Sequence, residues 1–194
     1  MCHPLLFLLF PSVLLAMSVA PTPKGSLPRL VALDLDGTIW QPEMYQLSDG
    51  PPFTYLSSSE AKTNYGSVVK LIGDTANIID FLYENKIILA WVSCTDEPDW
   101  ADELLNNFKT AKGVLLSTAC GSSQIFKANK QEHFRRLKKQ FPDIEYNEMV
   151  FFDNEHHNVA SVEKLGVHSV YCPRGLTKDI WADALAKYSQ NRSR

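Results

Sequence analysis

Beyond residue 28 the chain alternates short apolar runs with longer stretches in which apolar side chains recur every third or fourth position. The runs Leu30–Leu33, Ile87–Val92, Val114–Ser117, Met149–Phe152 and Val167–Tyr171 read as strands, mostly too apolar to leave one face in water. Between and after them, residues 74–85, 97–108, 128–140, 156–165 and 177–188 carry the 3.6-residue period of amphipathic helices. Asp74, Asp96 with Pro98, and Thr177 are helix-start signals, and Gly166 is a stop. Strand and helix alternating in this way predict one α/β domain over residues 29–190, built as a three-layer, Rossmann-like parallel sheet with helices on both faces. Residues 39–73 are rich in Pro and Ser and read as a loop.

The first residues follow another pattern. Residues 4–17 form an uncharged apolar block too short to span a bilayer comfortably, followed by the small residues Ser18-Val19-Ala20 and the Pro-rich linker 21–28. Residues 1–20 therefore read as a signal or targeting segment cleaved after Ala20, which would send the chain to the secretory pathway or an organelle. No Lys or Arg precedes the apolar block. An uncleaved anchor, part of a longer organelle leader, or a true start at Met17 with a cytoplasmic product are the alternatives. No other segment reads as membrane-embedded.

Composition adds limits rather than a function. The chain has 194 residues, 45% hydrophobic and 21% charged, enough for one domain with a sizeable core. A formal net charge of −3 argues against nucleic acid as a main partner, because that association runs on excess Lys and Arg. The basic run Lys127, Lys130, Arg135, Arg136, Lys138 and Lys139 has only Phe134 interleaved and reads as a solvated helix face. Cys2, Cys94, Cys120 and Cys172 show neither paired spacing nor a C-x-x-C, so no disulfide framework or thiolate metal site is expected.

In an open α/β sheet, ligands bind outside the carboxyl ends of the strands. Those ends carry Asp34 and Asp36 after the first run, Ser93-Cys94-Thr95 after the second, and Asp153-Asn154-Glu155 after the fourth. In Leu33-Asp34-Leu35-Asp36-Gly37-Thr38 one aspartate is a candidate nucleophile toward phosphorus and the other a candidate acid/base, brought together by a turn at Gly37. Converging carboxylates repel each other and a phosphate unless a cation intervenes, and oxygen-only ligands suit Mg²⁺. Taken alone, the same residues also make an acidic β-turn after a buried strand.

Together the strand ends resemble the haloacid dehalogenase (HAD) superfamily of phosphohydrolases, and more narrowly its magnesium-dependent phosphatase family. The resemblance is carried by Leu33-Asp34-Leu35-Asp36-Gly37-Thr38-Ile39-Trp40, by Val92-Ser93-Cys94-Thr95, by Lys130 ahead of His133-Phe134-Arg135-Arg136-Leu137, and by Phe151-Phe152-Asp153-Asn154-Glu155 with Asn158. It implies that Asp34 attacks phosphorus to form an aspartyl-phosphate. Asp36 then protonates the leaving oxygen and activates water. It also implies Mg²⁺ held by the Asp34 carboxylate, the Asp36 main-chain carbonyl and Asp153, with Ser93, Cys94 and Lys130 binding the phosphate. Lys127 is a rival for Lys130, three residues away and on the same helix face if the helix starts early.

Implied substrates are phosphorylated small molecules or protein side chains, divided between phosphotyrosine, which would make the chain a protein tyrosine phosphatase, and sugar phosphates such as fructosamine phosphates. Larger relatives insert a cap, but here residues 39–73 and 94–129 leave room for at most a small flap. Two departures stand out. Asn154 occupies the place of a second aspartate yet can still ligate or hydrogen-bond through its carbonyl, and Cys94 replaces an arginine that could grip a substrate anion. Trp40 reads as either site lining or core, and His156 and His157 as either metal neighbours or an exposed helix start. A cysteine-based tyrosine phosphatase needs an Arg six residues after its Cys, whereas here those positions are Trp100, Phe126 and Lys178. A receiver domain needs its Lys last, but Lys130 precedes Asp153. A non-catalytic phosphate-binding protein on the same scaffold is the remaining alternative.

Overall fold

Leu30–Leu33 (β1) is the central strand of a parallel sheet and is wholly buried, as an uninterrupted apolar run should be when strands flank it on both edges. A computed structural model describes residues 27–192; the apolar block at 4–17 and residues 21–26 of the linker lie outside that range. After β1 come Trp40–Gln41 (β2), Thr54–Tyr55 (β3), Glu60–Lys62 (β4), Val68–Leu71 (β5), Thr75–Glu84 (α1), Ile88–Ser93 (β6), Pro98–Leu105 (α2) and Leu116–Ala119 (α3). Ser122–Ile125 (β7), Lys130–Gln140 (α4), Met149–Asp153 (β8), His156–Glu163 (α5), His168–Tyr171 (β9) and Lys178–Arg192 (α6) complete the order.

The main sheet has the order β7-β6-β1-β8-β9, every neighbouring pair parallel. The register sets Leu33 beside Trp91 on one edge and Phe152 on the other, so β1, β6 and β8 finish together. Because strand side chains alternate, Leu30 and Ala32 face one helical layer with Phe134 and Leu137 of α4 and Val162 of α5. Val31 and Leu33 face the other, with Ile79 and Leu82 of α1, Leu104 of α2 and Trp181 of α6. Two apolar layers thus sandwich the sheet.

The sequence pattern misplaces two regions. Val114–Ser117 is no sheet strand: Leu115 makes only an isolated bridge to Lys109, and Leu116 begins the short α3. The fifth strand is instead β7, the polar Ser-Ser-Gln-Ile at an edge of the sheet. An edge strand has one ladder and a half-covered face, so its pairing needs no apolar run. Residues 39–73 also form more than a loop, because β2 to β5 build an antiparallel sheet ordered β2-β5-β4-β3, with a 3-10 turn at Met44–Gln46. Strands of two to four residues are too short to show a period. This sheet is the small flap, and its buried Trp40, Met44, Phe53, Ala61 and Val69 extend the Val31/Leu33 core.

Asp74 also differs from its expected part. Its carboxylate makes no cap bond to α1 but accepts from the Lys178 amide at 2.7 Å, while its own amide donates to Leu176 O at 2.9 Å, tying α1 to the start of α6. Thr177 accepts from the Ile180 amide at 3.3 Å, as an N-cap should. Gly73 makes the crossing possible: its φ is +61°, and a Cβ there would stand 2.3 Å from the Leu176 carbonyl oxygen. Gly73→Ala should lower stability by about 2 kcal/mol or more, read as a fall in the urea midpoint without a change in slope.

Candidate active site

Three strand ends build the site. Beyond β1 the Asp34 amide still donates to Phe152 O at 3.0 Å, so Asp34 keeps its strand direction and its carboxylate is delivered to the sheet edge. The chain then turns at Gly37, φ +68°, with the Gly37 amide on Trp40 O at 3.0 Å. That turn brings Asp36 Oδ1 within reach of the Trp40 indole N–H at 2.8 Å and the Met44 amide at 3.1 Å. Burial pushes the Asp36 carboxyl up to about 6; the Asp34 charge adds to the rise, while the Trp40 and Met44 bonds oppose it. Trp40 is fully buried in the core and does not line the cavity, though its indole N–H reaches Asp36 from behind the site.

At the centre lies Lys130, the first residue of α4, only 1% exposed. Its Nζ donates to Asp34 Oδ1 at 2.5 Å and to Val92 O at 2.6 Å, and it pairs with Asp153 Oδ2 at 3.3 Å. Burial alone would lower the ammonium's pKa, but Asp34 and Asp153 outweigh it and hold Lys130 above the usual lysine range. Asp153 is likewise raised, by burial first and then by the Asp34 charge, against the pull of Lys130. Its Oδ1 accepts from the Glu155 amide at 2.7 Å, and Asn158 Nδ2 donates to its Oδ2 at 3.1 Å. Thr38, fully buried, donates to Asp34 Oδ2 at 3.1 Å. The helix start puts Lys130 there: Asn129 caps α4 by accepting from the Glu132 amide at 3.0 Å, so Lys127 precedes the helix and instead pairs with Asp96 at the surface.

Ser93 is buried at the end of β6, its Oγ accepting from the Thr95 amide at 3.2 Å. Burial raises the Cys94 thiol's pKa more than Lys130 lowers it, so Cys94 lines the site as a neutral group. Ser93, Cys94, Asp34, Asp36, Lys130 and Asn154 share one open cavity of about 600 Å³. His156 faces Tyr171 and His157 pairs with Glu155 at 3.6 Å; neither lines the cavity. Asn154 Oδ1 lies 3.4 Å from Thr38 Oγ1, and its side-chain amide reaches over Gly37 beside the Glu43 carboxylate of the flap.

Several contributors leave little sequence signal. His133, one turn after Lys130, is fully buried, with Nε2 3.0 Å from both Ser93 O and Phe126 O and Nδ1 2.9 Å from Asn129 O. It holds the strand end that carries Ser93, a role that neither its i+3 spacing from Lys130 nor its place in the quoted motif specifies. Glu43, Met44 and Tyr45 reach the cavity from the flap, and Trp100 from α2. Nothing in their local sequence distinguishes them from loop and helix residues.

The donor set suits a small hard cation. Among the described residues no three His, Cys, Asp or Glu side chains converge as a full cage. Mg²⁺ asks for less, commonly one or two carboxylates with water and substrate oxygens. Asp34 and Asp153 share the one Lys130 ammonium; burial first, and then the Asp34 charge, raises both Asp36 and Asp153. Removing Lys130 would leave Asp34 and Asp153 buried against each other. Lys130→Met should cost about 3–5 kcal/mol in metal-free buffer, checked by urea unfolding of the purified variant in EDTA.

Residues 26–191 match the sequence profile of the acid phosphatase family. The chain is similar to magnesium-dependent phosphatase 1 of Homo sapiens, 27% identical over 164 residues, covering 84% of this chain and 89% of that protein. It is also 32% identical over 145 residues to a HAD-like hydrolase superfamily protein of Schizosaccharomyces pombe, covering 72% of this chain and 83% of that one. The crystal structure of a HAD-superfamily hydrolase from Ehrlichia chaffeensis superposes with a TM-score of 0.55 at 15% identity, over 84% of this chain and 97% of that one. The fold, the three acid- and hydroxyl-bearing strand ends and these matches agree: the chain belongs to the acid phosphatase family, within the HAD-like hydrolase superfamily.

Proposed function

We propose that the chain is a Mg²⁺-dependent phosphomonoester hydrolase working through an aspartyl-phosphate on Asp34. The observation that carries this reading is the Lys130 ammonium bridging Asp34 and Asp153 beside an Asp36 whose pKa is about 6. Lys130 and Thr38 hold the Asp34 carboxylate in one orientation, as a nucleophile needs. Asp34 attacks phosphorus as the bond to the leaving oxygen breaks, and Asp36 gives that oxygen its carboxyl proton. The Asp36 carboxylate then takes a proton from water, whose oxygen attacks phosphorus and frees phosphate and Asp34. Ser93, Lys130 and the site's edge at Cys94 receive the phosphate oxygens. Mg²⁺ would be held by Asp34, the Asp36 carbonyl and Asp153, and supplies neutralisation of the phosphate charge. The name of the human relative supports the same cofactor.

For substrates we favour phosphotyrosine and small sugar phosphates. The open mouth admits either, and Tyr45, 77% exposed, with Trp100 offers flat surfaces to a ring. Glu43, Asp96, Glu97 and Glu155 line the same mouth, and Cys94 supplies no guanidinium, so a second anionic group on the substrate is disfavoured. Monophosphates should therefore exceed the corresponding bisphosphates in kcat/KM by about tenfold or more, measured side by side.

Turnover of p-nitrophenyl phosphate should vanish in EDTA and return with Mg²⁺; full activity in EDTA would overturn the metal assignment. Asp34→Asn should lose turnover by about 10³-fold or more with the fold intact by circular dichroism, whereas a non-catalytic phosphate binder would show no Mg²⁺-dependent turnover to lose. We also propose that residues 1–20 direct the chain into the secretory pathway or an organelle. N-terminal sequencing of the native protein should then find Pro21 first, and a start at Met17 would refute it.

A further inference from the structure

Asp36 owes both donors to its carboxylate to the flap: one is Trp40 Nε1, the other the Met44 amide at the head of the 3-10 turn. That turn begins at Glu43. Its carboxylate makes no ion pair with a Lys or Arg among the described residues and faces two like charges, Glu155 and Asp34. The Asn154 side-chain amide, standing beside it over Gly37, opposes that repulsion and draws the Glu43 carboxyl back down, while burial and the two like charges push it up. Both groups converge over Gly37, where a Cβ would stand 2.3 Å from Asn154 Nδ2 and 3.2 Å from Glu43 Oε1. Asn154 is itself anchored, its main-chain amide donating to Thr38 Oγ1 at 3.0 Å, and Thr38 in turn donating to Asp34.

The geometry assigns Asn154 as a positioning residue whose side-chain amide latches Glu43 over Gly37, and so holds the Met44 amide on the Asp36 carboxylate. The inference rests on the proposed role of Asp36 as general acid. It gives the neutral residue at 154 a reason: an aspartate there would set a third carboxylate against Glu43 with no proton to share. The latch acts on Asp36 through the Met44 amide, whereas Asp34 is held chiefly by Lys130 and Thr38. Its loss should therefore be felt most by leaving groups that need a proton.

The test uses the full chain at saturating Mg²⁺, with p-nitrophenyl phosphate as the good leaving group and an alkyl phosphate as the poor one. Asn154→Asp should lower kcat on the alkyl ester by about tenfold or more and on p-nitrophenyl phosphate by less than about threefold. Glu43→Gln keeps an acceptor for Asn154, so the ratio of alkyl-ester to p-nitrophenyl phosphate turnover should stay within about threefold of the wild-type ratio. In the double variant Asn154→Asp/Glu43→Gln the polarity of the pair is reversed, the amide introduced at position 43 donating to the carboxylate introduced at position 154, and alkyl-ester turnover should recover to within about threefold. Hydrogen exchange of the peptide carrying Met44 should rise in Asn154→Asp and fall back in the double variant. Asn154→Ala, which removes the donor without adding charge, should show the same substrate-selective loss and serves if Asn154→Asp fails to fold. Equal loss on both esters, no recovery in the double variant, or a tighter Mg²⁺ titration with raised turnover in Asn154→Asp would overturn the latch. Asp36→Asn separates the two readings. If it discriminates between the esters while Asn154→Asp does not, the latch alone fails; if it does not discriminate, the role of Asp36 fails and the latch with it.

Discussion

Two carboxylates and one ammonium, all nearly shut off from water, form the interaction on which the site depends. Lys130 between Asp34 and Asp153 satisfies charges that could not otherwise be buried at the end of a parallel sheet. The arrangement requires β1 and β8 to end in register and α4 to begin with its first residue directly beneath them. Asn129 and His133 secure that start, the one by capping the helix and the other by bonding the Ser93 and Phe126 carbonyls. A stable core feature and a chemically poised one are here the same contact. In the proposed reaction, its net negative charge is what a divalent cation would neutralise.

The flap contributes differently. Its strands are too short to stand alone, and they persist because Trp40, Met44 and Phe53 pack into the core that faces α1 and α6. Packing thus brings the Met44 amide and the Trp40 indole to Asp36 as a by-product of burying apolar surface. With no large cap over it, the cavity stays open at a mouth where carboxylates outnumber cations. Selectivity in such a site comes from charge and from a few aromatic faces more than from enclosure.

Long apolar runs flanked by helical periods located β1, β6 and β8, because strands buried on both faces must be apolar throughout; β9, His-Ser-Val-Tyr at the other edge, was located by the run Val167–Tyr171 between two helical periods. The same criterion passed over β7, whose Ser-Ser-Gln-Ile needs no apolar side chains at an edge, and selected Val114–Ser117, whose apolar residues serve a helical turn and loop packing. Strands of two to four residues in the flap carried no period to read.

What the sequence determined by itself was the placement of acid, hydroxyl and acid at three strand ends, since strand length and the turn at Gly37 are local properties. It also distinguished a Lys ahead of the last acidic end from one behind it. The tertiary structure alone decided which lysine enters the cluster, because that depends on where the Asn129 cap starts α4. It alone decided that Asn154 faces Glu43, and that Trp40 and Met44 hold Asp36. Asn154 and Glu43 lie in separate segments that meet only when the flap packs onto the sheet, while Trp40 and Met44, four and eight residues beyond Asp36, reach it through the turn after Gly37; no local pattern records a contact made by packing.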